Sequence, residues 1–333
     1  MSYRSWSSIL LLYGAMQQVA SPQVAKVQPW EDSARQIRAR EDAGDLPGAT
    51  ELAAKLVADL ERSDPDGILL PGAVDRLAIL QHNQGHYVEA AQLYENAVEL
   101  WRRRPDSPNL GLAKELNNLA SLYSEVGQAK KAETLRRESL TVRLRLLGPA
   151  SPEVALCYSN LAVDAIHEGN YHDAERLANL AIKIWGQGPP GRSDIDLAYN
   201  TLAMIELHAH RYGAALKDVR LALQTYDRHG GGDASRLAAY QHTLALAEQY
   251  TGDSVGAAQA FQASLTTIAS TNATVSIQRI IVLQDYATLL RSMGQKHEAR
   301  KLKQEAAKEL VKASTHNPFK YSVDASALLS SQH

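Results

Sequence analysis

One alanine recurs through most of the chain at a nearly constant interval, and a period of that length dictates a stacked-repeat architecture before any other feature is weighed. It stands at Ala49, Ala90, Ala132, Ala174, Ala215, Ala257 and Ala299, in steps of 41, 42, 42, 41, 42 and 42 residues. Five residues ahead of each stands Gly44, Gly85, Gly127, Gly169, His210, Gly252 or Gly294, and twelve ahead stands Ile37, Ala78, Ala120, Ala162, Ala203, Ala245 or Ala287. One register therefore holds from about residue 30 to residue 313.

Each period reads as two helices. The first carries a Leu-Ala pair such as Leu119-Ala120 and stops at the glycine, which takes the left-handed conformation that a helix end needs; the second begins around the next alanine. Small residues on both helices let the two backbones approach closely, while Tyr94, Leu135 and Phe261 fill the spaces between hairpins. Breakers fall between units, as in Gly148-Pro-Ala-Ser-Pro152, where Ser151-Pro152-Glu153 has the side-chain cap, the first-turn proline and the carboxylate of a helix start. A lone hairpin cannot bury its apolar face, so the units must stack. The expected fold is all-α, a right-handed superhelical solenoid of about seven antiparallel helix hairpins, with units near 30–70, 71–112, 113–154, 155–195, 196–237, 238–279 and 280–313 of a repeat domain spanning 26–313.

The pattern Gly-x-Tyr-x-x-Ala-x-x-x-Tyr-x-x-Ala, met in full by Gly85, Tyr87, Ala90, Tyr94 and Ala97, resembles the tetratricopeptide repeat. Leu116-Asn-Asn-Leu-Ala120 with Tyr123, Gly127 and Ala132-Glu133, followed by Leu147-Gly-Pro-Ala-Ser-Pro-Glu-Val-Ala155 and Tyr158-Ser-Asn-Leu-Ala162, is similar to the 42-residue repeats of kinesin light chain and its bacterial relatives. The resemblance covers about 280 residues and is strongest over residues 71–225. It implies that the first helix of each hairpin lines a concave face, and that asparagines of that helix hold the backbone of a ligand peptide. The matching positions are Asn118 and Asn160, with Asn200 one place out of step.

Helical spacing puts the fifth, sixth, ninth, twelfth and thirteenth residues of each unit on that face. The fifth and sixth places hold Asp75 and Arg76, Asn117 and Asn118, Ser159 and Asn160, Asn200 and Thr201, His242 and Thr243, and Gln284 and Asp285, all of them polar. The later places add His167 and Arg291. Amides and hydroxyls in such a stripe suit an extended peptide, because an asparagine can donate to and accept from one peptide group at once. The candidate peptide-binding residues are Arg76, Asn117, Asn118, Asn160, Asn200, Thr201, His167 and Arg291. Each hydrogen bond contributes about 1 kcal/mol net, so several must act together.

Charge and motifs narrow the function further. Thirty-five Lys and Arg stand against 37 Asp and Glu, a balance without the basic excess that nucleic acid or an anionic membrane requires. The single cysteine, Cys157, excludes an internal disulfide and a cysteine-based metal site. His167-Glu168-Gly-Asn-Tyr-His172 spaces its histidines five apart across a glycine turn rather than four apart on one helix face, so it is no zinc-protease site, and Gly230-Gly-Gly232 lacks the following Lys-Ser/Thr of a phosphate loop. Arg102-Arg-Arg104 and Arg136-Arg137 read as solvated helix ends, and His82 and His208 as solvated residues flanking turns. No catalytic or metal residues, no cofactor and no enzymatic activity are expected.

The first 25 residues have one arginine, an uncharged stretch centred on Ile9–Leu12 and small residues beyond it, the layout of a secretory signal and too short to span a bilayer. Export to the periplasm or beyond is expected, with a cytoplasmic chain as the alternative. Residues 314–333 fall outside the repeat and read as a disordered tail. The function expected is a protein–protein interaction scaffold or adaptor that holds an extended segment of another protein. The alternatives are a peptide-responsive signalling regulator of the tetratricopeptide class and the accessory repeat part of an enzyme complex.

Overall fold

The turn between the two helices of a unit is where the sequence constrains the backbone most. The computed structural model describes residues 28–104, 106–188, 194–271 and 277–315; the expected leader over 1–25 and residues 316–333 lie outside these. Fourteen helices and no strand occur among the described residues. They form seven hairpins: α1 (Gln28–Asp42) with α2 (Leu46–Ser63), α3 (Leu69–Asn83) with α4 (Tyr87–Arg102), α5 (Leu110–Glu125) with α6 (Ala129–Leu147), α7 (Pro152–His167) with α8 (Tyr171–Gly186), α9 (Ile195–His208) with α10 (Tyr212–Arg228), α11 (Ala234–Thr251) with α12 (Ser254–Ala269), and α13 (Ile277–Ser292) with α14 (Lys296–Thr315).

All seven turns are closed in the same way. Gly44, Gly85, Gly127, Gly169, Gly252 and Gly294 have φ of 76°, 80°, 77°, 74°, 93° and 81°, the left-handed region open to a residue without Cβ. His210 takes the same turn at φ 57°. The amide after each turn residue donates five residues back, from Gln128 N to Tyr123 O at 2.7 Å and from Arg211 N to Glu206 O at 2.9 Å, and the turn residue's own amide donates three back. This double closure satisfies carbonyls that the end of the first helix would leave bare. The second helix starts two residues after the turn, and its fourth residue is the periodic alanine, whose amide makes an i to i−4 bond of that helix, as from Ala132 N to Gln128 O at 3.1 Å.

Alanine then sets how closely the paired helices approach. Ala49, Ala90, Ala132, Ala174, Ala215 and Ala257 are 0% exposed, and so are Ala78, Ala120, Ala162, Ala203, Ala245 and Ala287 on the first helices. Leu77, Leu116, Leu119 and Leu161 pack beside them, while Tyr94 and Phe261 are buried between units as expected. Trp30 and Ile37 of α1 close the N-terminal end of this core. Ser151 and Asp233 accept from Val154 N and Arg236 N to cap α7 and α11. First helices of neighbouring units also touch directly, α7 with α9, α9 with α11 and α11 with α13, whereas successive second helices make no comparable contact. The stack therefore curves with its first helices on the inside.

Two consequences can be measured. His210→Gly removes a side chain from a left-handed position and is expected to stabilise the chain by about 0.5–1 kcal/mol in urea unfolding, the relief of strain exceeding the added freedom of the unfolded chain. Ala132→Leu forces a branched side chain into a helix contact with no space for it and is expected to destabilise by about 1–3 kcal/mol.

Candidate functional site

On the inner face, consecutive residues lie about 100° apart around a helix, so the fifth and sixth positions of a unit cannot point the same way. In the second, third and fourth units the fifth position turns inward: Asp75, Asn117 and Ser159 are 2%, 3% and 2% exposed. The sixth, at Arg76, Asn118 and Asn160, is half-buried and open to the concave side. In the fifth unit both are buried, Asn200 at 8% and Thr201 at 2%, with the Thr201 hydroxyl donating to Leu197 O at 2.9 Å. His167 and Arg291 are exposed. Of the eight candidates, Asn118, Asn160, His167 and Arg291 thus present polar atoms to solvent, Arg76 is held in an ion pair with Glu41, and Asn117, Asn200 and Thr201 belong to the interior.

The inward groups are joined from one unit to the next. Asn160 Nδ2 donates to Asn117 Oδ1 at 2.9 Å and Asn118 Nδ2 to Asp75 Oδ1 at 3.0 Å, each reaching back 43 residues. His82 Nε2 lies 2.6 Å from Glu125 Oε2, and His242 Nε2 lies 2.7 Å from Asp285 Oδ2, at the same offset. Arg236 binds Asp194 and Asp196, and Tyr240 donates to Asp196 at 2.8 Å. These rungs tie α3 to α5, α5 to α7, α9 to α11 and α11 to α13. Each amide of the Asn118 and Asn160 pair spends one hydrogen on the rung and, among the described residues, keeps its second hydrogen and its side-chain oxygen for an external group.

Beneath Asn118 lies a cluster that the sequence reading did not single out. Lys114 Nζ bonds Asp75 Oδ2 at 2.6 Å and stands 3.4 Å from Glu115 Oε1, and Glu115 is 1% exposed. Burial and the adjacent Asp75 carboxylate push the Glu115 carboxyl well above the usual range against the pull of Lys114. Its Oε2 faces no donor, which fits a carboxyl that burial drives towards the neutral form. Glu125 goes the other way: burial raises it, but the bonds from His82 and Tyr87 bring it below the ordinary value.

The readings of Arg136 and His82 as solvated residues are corrected by the structure. Arg136, at 6% exposure, crosses from α6 to form an ion pair with the buried Asp164 of α7, because α6 packs on α7 along the face that carries Arg136 and Arg143. Arg137, one residue on, does face solvent and pairs with Glu133. Cys157 is buried and lies 3.0 Å from Arg143 Nη1. His208 is exposed but stacks on Tyr171. A signal for the rungs existed in complementary side chains offset by about one period, as at Asp75 and Asn118 or His82 and Glu125. Among the described residues no group of His, Cys, Asp and Glu could hold a metal, and no helix is long and apolar enough to cross a membrane.

Hairpins stacked in one register with a polar inner face define the class of helical repeat solenoids. The sequence model of the tetratricopeptide-repeat family matches residues 112–187. Among solved structures, apo RapI is 14% identical with a TM-score of 0.65, covering 85% of this chain and 99% of its own. A Rap protein complexed with competence and sporulation factor is 14% identical with a TM-score of 0.63, over 85% of this chain and 75% of that one. BtubC (BKLC) from P. vanneervenii is 20% identical with a TM-score of 0.52, over 73% and 94%. A comparison with curated proteins gave no match. Residues 112–187 match the tetratricopeptide repeat, and the described hairpins have the solenoid fold of such repeats.

Glu115 generates a pH prediction. A carboxyl whose folded pKa is raised binds its proton more tightly in the native state, so stability falls as pH climbs from about 4.3, the ordinary glutamate value, to the higher folded value. Glu115→Gln keeps the neutral form at every pH; it is expected to be at least as stable as the parent at pH 7 and to flatten that decline in urea midpoints measured between pH 4 and pH 8.

Proposed function

We propose that the chain is a non-enzymatic scaffold or adaptor that holds an extended peptide segment of another protein along the inner face of its first helices. The observation that carries this reading is the pair Asn118 and Asn160, half-exposed at equivalent places on α5 and α7, each with amide hydrogen-bonding capacity left after its rung is made. A peptide backbone offers a donor and an acceptor at each residue, and successive asparagines one unit apart can take alternate peptide groups. His167 lies on the same face and adds a polar contact beside Asn160. The described residues offer no metal cluster for catalysis.

A second reading, a peptide-responsive signalling regulator, has one supporting observation. The fold covers 85% of this chain in the likeness to a Rap protein complexed with competence and sporulation factor. Export remains part of the proposal for residues 1–25. Mass spectrometry of the mature N-terminus is expected to find a start near Ser21 or Lys26; a start at Met1 or Ser2 would mean retention.

The test uses the full chain and a displayed library of random linear peptides. Asn118→Ala with Asn160→Ala is expected to weaken selected peptides tenfold or more, and Lys183→Ala on the outer helix α8 to leave them unchanged. Sequence alone predicts no change in thermal unfolding for that double variant, but Asn118 solvates the buried Asp75, so a loss of about 1–2 kcal/mol is expected and binding is read well below the transition. Peptides bound equally by the double variant would remove both asparagines from the site.

A further inference from the structure

The outer side of the second and third units carries a cleft of about 500 Å³ between α4, α5 and α6, within the size range of small-molecule sites. Its apolar lining comes from Val98, Leu119, Tyr123 and Leu135, of which Val98, Leu119 and Tyr123 are no more than 5% exposed. Over this lining stand the first-turn lysines of α6, Lys130 and Lys131, with Lys131 Nζ 4.8 Å from the centre of the Tyr123 ring.

Positive charge predominates on this rim. Arg102 also borders the cleft, but Glu138 occupies it with two bonds of 2.8 and 2.9 Å. Glu95, the one carboxylate in the lining, takes the hydrogen of Tyr123 at 2.6 Å. Neither Lys130 nor Lys131 has a carboxylate partner among the described residues. Their place works against the fold, since the first turn of a helix favours anions. At the position of Lys131 other units carry Glu89, Asp173 and Glu298, and α6 has no acidic residue in its first turn. Lys131 packs over the Tyr123 ring, yet neither lysine faces a carboxylate among the described residues, which a bound anion beside an apolar body would supply.

We propose that this cleft binds a small monocarboxylic acid with an apolar body, its carboxylate set against Lys130 and Lys131 and its hydrocarbon laid over Val98, Leu119 and Leu135. The site lies on the opposite side of the stack from the peptide-binding face and does not depend on it. An ammonium in the same place would meet two like charges, and a purely apolar ligand would leave both lysines without an anion.

Decanoate is the probe, titrated into the full chain by calorimetry at pH 7.5 with decanol and decylamine as controls. One saturable site for decanoate is expected, with decylamine and decanol at least tenfold weaker. Lys130→Gln with Lys131→Gln is expected to weaken decanoate tenfold or more, and Thr134→Trp, which places a ring in the cleft from an exposed position, to abolish binding with the unfolding midpoint unchanged. Equal binding of decanol, or decanoate binding untouched by either variant, would overturn the site. N-acetyl-Phe-Leu-amide, which has no carboxylate, binding tighter than decanoate would overturn the choice of a carboxylic acid. Loss of peptide binding in the asparagine variants bears on the inner face alone.

Discussion

The structure depends on how closely two helices pass when both present alanine. A side chain that ends at Cβ lets the backbones of a hairpin meet with no interposed group, and five such pairs are fully buried along the stack, with Ala287 and Ala299 a sixth that is nearly so. That separation fixes the length of the turn, which can be made only with a left-handed residue closing two backbone bonds at once. With separation and turn set, each hairpin is a rigid block, and the remaining freedom is how one block sits on the next.

That freedom is taken up largely by polar groups. A seam of leucine and alanine is much the same at every junction and would tolerate more than one arrangement, whereas a carboxylate under a lysine and an asparagine, or a histidine against a glutamate, is satisfied in one. Burying such groups costs desolvation, visible in the raised carboxyl of Glu115 and in Asp164, which burial pushes up despite Arg136. The same rungs bring Asn118 and Asn160 into line on the inner face, so the spacing of their remaining hydrogen-bonding groups is a by-product of the bonds that align the units.

What repeats was legible in the sequence and what pairs was not. Alanine, glycine and the leucine beside the alanine answer to local requirements that recur in every unit, so the period shows them directly. His210 could be aligned with the turn glycines, but the period did not fix its backbone, which the structure shows in the same left-handed turn at φ 57°. Asn117 and Asn118 are both polar and adjacent, and composition alone cannot tell which turns to solvent; that depends on the rotation of α5 against α3 and α7. Arg136 was misread for a related reason: its length lets it reach an acid on the next hairpin, and only the stacked arrangement shows Asp164 within range. The Lys114, Asp75 and Glu115 cluster escaped notice because Asp75 lies one unit before the other two and no one of them departs from an ordinary helix pattern.

The differing rungs also govern how such an array can change its length. If residues 113–154 were excised, the joint would be in register for alanine and glycine, yet His82 would meet His167 in place of Glu125, and Asp75 would find Leu156 where Lys114 had been. Two imidazoles would stand where an imidazole had met a carboxylate, and a buried acid would lose its counter-charge. The hairpins share one shape but not one set of neighbours, so the order in which they follow one another is written into their side chains, and a duplicated or deleted module would have to be re-matched at both ends before it could persist.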